Sequence, residues 1–309
     1  MKPAPERTRI DGFEIVTLSS SALSASLAPE LGGRVVSIRD RRSGREWLDG
    51  WEPESSRRLW LPDDPLDYLS GPGAGLDECL PTVLPCRVGD RDLADHGELW
   101  SQPAPFEAGA AGRLENHWSL ASLPLDFDRG IELTGDQLRF DYRIRNRSDG
   151  PTPFQWAWHP LFTLEAGDRI ELPSTVRDCR PPGGDPIPWP RPGPGQDLAR
   201  AEPGGPRPGC AKVFVGPLDP GFAEIRSRRG ILRLEWDSRW LPWAGIWINR
   251  GVWKDLHHWA IEPTNLAADR LSDAPDGDPA TTLGPRETRE WSLRLRILAP
   301  EDDPTGAGG

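Results

Sequence analysis

The sequence predicts an all-β protein. Three observations carry this. Segments with strict two-residue alternation recur along the chain. A 3.6-residue apolar period is absent. The 33 glycines and 35 prolines among 309 residues disfavour long helices. Many short strands separated by Gly/Pro turns define a sandwich or a barrel. A chain of this length calls for a sandwich larger than an immunoglobulin domain.

The elements follow in order. "FEIVTLS" (13–19) and "GRVVSIRD" (33–40) read as short strands. "DQLRFDYRIRN" (136–146) is the cleanest, with Leu138, Phe140, Tyr142 and Ile144 alternating with Arg139, Asp141, Arg143 and Arg145. That pattern gives one buried face and one solvated face. "FQWAWHPLF" (154–162) splits the same way: Phe154, Trp156 and Trp158 to one side, Gln155, Ala157 and His159 to the other. Residues 177–211 form one Pro/Gly-rich block, read as a long surface loop or a lid over a cleft. "ILRLEW" (231–236), "AGIWIN" (244–249) and "HHWAIEP" (257–263) are further strands, and "PTNLAADRL" (263–271) a short helix or turn. "REWSLRLRIL" (289–298) closes the series, and the tail from about 300 to 309 is expected to fray. One domain over 1–309 is expected.

Composition excludes several functions. The net charge of −11 opposes binding to a nucleic-acid backbone, which needs a basic stripe. No run of about 18 apolar residues exists to span a membrane. The N-terminal residues carry no apolar signal core, and Cys79, Cys86, Cys179 and Cys210 match no zinc or CxxC spacing. A cytoplasmic protein with free thiols is the expectation. Fifteen tryptophans offer both core mass and flat platforms suited to sugar C–H faces.

Four short stretches could carry chemistry. His96 lies in "ADHGELW", a glycine turn where a surface histidine is equally at home. His159 ends the polar face of its strand, where a satisfied structural imidazole is the plain alternative. Glu262 sits between Ile261 and Pro263, where a carboxylate is either ion-paired or tuned for proton transfer. Asp77 and Glu78 are adjacent in "GLDECLPTVLP", so on a strand at most one of them faces a given pocket.

"GLDECLPTV", "DHGELW", "PFQWAWHPLF" and "AIEP", in that order, resemble the galactose mutarotase-like (aldose 1-epimerase) family over residues 10–298. The resemblance implies a large twisted antiparallel β-sandwich, a β-supersandwich, with a sugar cleft on one sheet and no cofactor. It implies Glu262 as general base, His159 as general acid and His96 as a sugar-binding imidazole. Asp77 or Glu78 would replace the family's arginine upstream of the first histidine. Gln155, Trp247 and Asn249 are further candidates for lining the cleft, with core packing the alternative for Trp247. Asp237 is a candidate for selecting sugar hydroxyls. The expected partner is a small-molecule sugar, and the expected assembly a monomer or homodimer. A hexose-6-phosphate 1-epimerase and a non-catalytic carbohydrate-binding protein are the alternative readings.

Overall fold

The computed structural model describes residues 4–49, 59–108, 112–193, 196–201 and 209–300. Two antiparallel sheets dominate. The larger has ten strands and runs Glu6–Ile10, Phe13–Ser19, Leu23–Ala28, Arg34–Asp40, Leu76–Cys79, Ala157–Pro160, His257–Thr264, Trp243–Arg250 and Gly209–Val215, with Phe162–Thr163 also paired to His257–Thr264. The second has eight strands and runs Arg169–Glu171, Gly221–Ser227, Gly230–Trp236, Thr288–Leu298, Gln137–Asn146, Leu125–Thr134, Leu114–Ser119 and Glu107–Ala108. Among the described residues the helical elements are short 3₁₀ turns such as Tyr68–Ser70 and Leu99–Ser101.

The alternation read from the sequence decides which side of each strand is buried. In Gln137–Asn146 the even-numbered Leu138, Phe140, Tyr142 and Ile144 are buried, while Arg143 and Arg145 are exposed. The core between the sheets is rich in aromatic contacts. Phe140 meets Trp158 with ring centroids 5.7 Å apart, Tyr142 meets Trp156 at 4.8 Å, and Trp156 meets Trp291 at 5.1 Å. Each such side chain removes roughly 150–250 Å² from water, worth about 4–6 kcal/mol of apolar transfer.

Charge also crosses this core. The Arg129 guanidinium of the second sheet donates to Glu78 Oε2 of the first at 2.6 Å. Tyr142 donates to Glu78 Oε1 at 3.1 Å, and Arg129 also donates to Asn116 Oδ1 and to the Gly33 carbonyl. Arg129 and Glu78 are both buried, so this is an interior ion pair whose donors and acceptors are largely satisfied.

Three expectations change in detail. Within "FQWAWHPLF" the strands are only Ala157–Pro160 and the start of Phe162–Thr163, although the two faces separate as the alternation requires. The Pro/Gly block is not one loop: it contains the pair Asp178–Cys179 and Ile187–Pro188, and its last residues enter strand Gly209–Val215. "PTNLAADRL" leaves strand His257–Thr264 and reaches a 3₁₀ turn only at Leu271–Asp273. The tail at 301–309 and residues 194, 195 and 202–208 of the block lie outside the described residues.

Candidate active site

Strand register brings the site together. His159 pairs with Asp77, and the flanking register sets Asp77 beside Arg34. Across the next strands, Glu262 pairs with Gly245, and Lys212 pairs with Trp247. Paired residues share a face, so these side chains leave the sheet on the side away from the sandwich core. The floor they form is central to the ten-stranded sheet.

Glu262 is the hub. His159 Nε2 lies 3.6 Å from its Oε1, and Lys212 Nζ lies 2.5 Å from its Oε2. Lys212 also lies 3.3 Å from Asp269 Oδ1. Glu262 and His159 are both buried. Burial pushes the Glu262 carboxyl up, but Lys212, and then His159, outweigh it and hold the group below its ordinary range. Burial likewise opposes the Lys212 charge, and Glu262 with Asp269 more than offsets it, so the ammonium persists above the usual lysine range. Both partners therefore favour the charged pair.

His159 behaves differently. Burial and the nearby Glu262 carboxylate act on it in opposite directions. Burial wins: desolvation, against the pull of Glu262 and with the help of His96 and Lys212, lowers it to about 3. Burial thus favours the neutral imidazole in the resting site, and among the described residues its Nδ1 has no hydrogen-bond partner.

His96 stands at the other side of His159, edge-on with ring centroids 5.0 Å apart. Its Nδ1 meets Asp95 Oδ1 at 2.8 Å, and its ring stacks on Tyr68 at 3.6 Å. The turn that presents it is left-handed at two successive residues, His96 at φ 58° and Gly97 at φ 69°. Gly97 is required there, because a Cβ would fall 1.9 Å from the Leu80 carbonyl oxygen. Gly97→Ala is expected to destabilise the protein by about 2 kcal/mol or more in urea unfolding, combining left-handed strain with that clash. An unchanged midpoint would show that the turn can relax.

The other candidates divide by strand face. Asp77 joins the site, accepting from Arg34 Nε at 2.7 Å. Glu78, one residue on, points into the core against Arg129, so it cannot touch a sugar in this cleft. Gln155 is fully buried, accepting from the Val83 amide at 3.3 Å and donating to the Ala268 carbonyl at 2.5 Å. It ties loops rather than lining the cleft. Asn249 is also fully buried; its Oδ1 accepts from the Val252 and Trp253 amides and its Nδ2 donates to the Trp253 carbonyl. Its role is to hold the turn that carries Trp253. Trp247 does wall the cleft, half-buried, with its ring centroid 6.1 Å from His159 and its Nε1 donating to Cys210 Sγ at 2.7 Å. Asp237 follows strand Gly230–Trp236 of the opposite sheet and lines a concavity of about 950 Å³. The arginines there are already matched to carboxylates: Arg113 and Arg139 to Asp141, and Arg143 to Asp128.

Sequence reading missed Lys212, Asp269, Tyr68 and Arg34. A signal existed for Lys212 alone: it is the one charged residue in the strand "GCAKVFV". Among the described residues, no group of three or more His, Cys, Asp or Glu side chains is placed to hold a metal ion. No helix of the described residues is long and apolar enough to cross a membrane.

The fold defined by these two sheets is that of the galactose mutarotase-like proteins. A galactose mutarotase-like protein from Clostridium acetobutylicum superposes with a TM-score of 0.67 at 15% identity, over 96% of this chain and 98% of that one. A galactose mutarotase-like protein from Lactobacillus casei gives 0.66 at 17% identity, over 92% and 99%. A galactose mutarotase related enzyme from Lactobacillus acidophilus gives 0.66 at 16% identity, over 92% and 97%. No family model matches the sequence, and no curated protein matches it.

Proposed function

We propose that this chain is an aldose 1-epimerase that interconverts the α and β anomers of a hexose by acid–base ring opening. The observation that carries the reading is the buried contact between Glu262 and His159, 3.6 Å apart, with His96 adjoining. Glu262 is the base. It takes the proton of the anomeric hydroxyl, O1, while the C1–O5 bond breaks with its electron pair on O5. O5 gains a proton, C1 becomes an aldehyde, rotation about C1–C2 follows, and reclosure runs the transfers in reverse. His159, beside the Glu262 carboxylate whose pull favours its charged form, is the acid that gives O5 its proton, and Trp247 offers an apolar wall to a pyranose face.

The electrostatics favour a neutral sugar over a sugar phosphate. Among the described residues, the site cations Arg34 and Lys212 are each already bound by carboxylates, and Asp95 adds further negative charge beside His96. A phosphate would have to displace those carboxylates.

The test is a panel of freshly dissolved α-anomers, D-glucose and D-galactose first, followed by polarimetry or NMR exchange. Faster equilibration with protein, and none with a 6-phosphate, is the expected result. Sugars that bind without any turnover would replace the enzyme reading with that of a carbohydrate-binding protein.

A further inference from the structure

His258 takes no part in the ring-opening chemistry, yet it leaves the same strand as Glu262 and on the same side. Its ring is fully buried. Its Nδ1 lies 3.0 Å from Asp49 Oδ2, so the carboxylate holds a proton on that nitrogen. In the neutral ring Nε2 is then an acceptor, and among the described residues it has no hydrogen-bond partner. A buried polar atom in that state calls for an occupant. Glu262 Oε1, the oxygen nearest His159, is buried without a hydrogen bond in the same way.

We propose that His258, held by Asp49, is a specificity-determining residue that accepts a hydrogen bond from a hydroxyl on the side of the pyranose remote from C1. The assignment rests on the epimerase reading above and adds to it the end of the sugar that is read. Three geometric facts support it. Trp247 stands between the two ends of the site, its ring centroid 6.1 Å from that of His159 and 5.0 Å from that of His258. Together those steps are no longer than a pyranose with a hydrogen bond at each end, laid along the indole face. Trp253 walls the far end, edge-on to His258 at 5.9 Å and to Trp247 at 5.7 Å. Gly73 makes room for that wall, because a Cβ there would strike the Trp253 ring.

The recognition is directional. While Asp49 keeps the proton on Nδ1, Nε2 can accept but cannot donate, so the group it reads must bring a hydrogen. The hydroxyls remote from C1 are those on C3, C4 and C6. The substrate class is therefore a hexose whose hydroxyl is free at one of these carbons. A sugar lacking that hydrogen leaves the acceptor buried and unpaired, which costs more than a missing apolar contact. No proton moves to or from His258 during the reaction. It orients the ring so that O1 meets Glu262 and O5 meets His159.

Deoxyfluoro sugars test this, since fluorine keeps much of the size of a hydroxyl but has no hydrogen to give. The hexose that the wild type turns over best is compared with its 3-, 4- and 6-deoxyfluoro analogues by NMR exchange. The wild type should lose about 10²-fold or more in kcat/KM on one of the three. In His258→Leu the parent sugar should fall toward that analogue, leaving them within a few-fold of each other. Asp49→Asn keeps the imidazole, but its amide donates to Nδ1 and moves the ring proton to Nε2, so the same difference should narrow. Should His258→Leu fold poorly by circular dichroism, Asp49→Asn carries the comparison. A loss shared equally by parent and analogues in the variants would mark a purely structural histidine and overturn the assignment. So would a wild type that treats all three analogues like the parent. A wild type inert on every sugar would instead fail the epimerase reading. The same panel, read as dissociation constants by calorimetry, then judges His258: equal binding of parent and analogues, or none, overturns the assignment.

Discussion

Glu262→Gln is expected to remove anomer interconversion, with kcat falling at least 10²–10⁴-fold while sugar binding changes little. The carboxamide keeps the size of the side chain but cannot accept the O1 proton. It also ends the charge pairing with Lys212 Nζ at 2.5 Å, so the base and its cationic partner are lost together. The wild-type pH profile provides a companion measurement. A general base works when deprotonated, and Lys212 and His159 hold Glu262 below the ordinary carboxylate range against burial. The acid limb of kcat/KM should therefore lie below about 4.3, the usual glutamate value. Wild-type turnover retained in Glu262→Gln, measured by NMR exchange, would sink the mechanism.

The largest expected effect on stability comes from Arg129→Met. Glu78 is almost wholly buried and receives its charge partner from Arg129 at 2.6 Å. Removing only the cation leaves an uncompensated carboxylate between the sheets, which costs about 3–5 kcal/mol. Urea unfolding should show this as a lowered midpoint. Adding Glu78→Gln to the same chain should recover part of the loss, because most of the penalty belongs to the stranded charge. A change below about 1 kcal/mol in Arg129→Met would mean that the Tyr142 hydrogen bond suffices to hold the site.

Much of this was legible from residue order. Period-two alternation placed several strands of both sheets, because one side of each is buried, but the ten-residue strand Leu125–Thr134 went unread. Gln137–Asn146 and Thr288–Leu298 match their expected spans closely. Within the site, His159, His96, Glu262 and Asp77 converge as the four motifs suggested. What escaped depends on register between distant strands. Lys212 meets Glu262 from a strand 50 residues away, so its role follows from pairing of Trp247 with both Lys212 and Ala260. Arg34 meets Asp77 for the same reason. Gln155 and Asn249 were misjudged because alternation gives a side and not a partner. Both share the cleft side, yet backbone amides and carbonyls of neighbouring loops claim their side-chain groups.

The tripeptide Asp77–Glu78–Cys79 has a bearing on how the chain finds its alignment during folding. Asp77 meets Arg34 on the outer side, and Glu78 meets Arg129 on the inner side. A slip of one residue would reverse both, sending Cys79 inward against Arg129 and setting Glu78 in the cleft. Each misaligned state would leave buried charges without partners, at several kcal/mol apiece. Two ion pairs of opposite facing thus form an address that only one alignment of the central strand satisfies. The apolar neighbours Leu76 and Leu80 would tolerate several alignments, so discrimination falls to the charges.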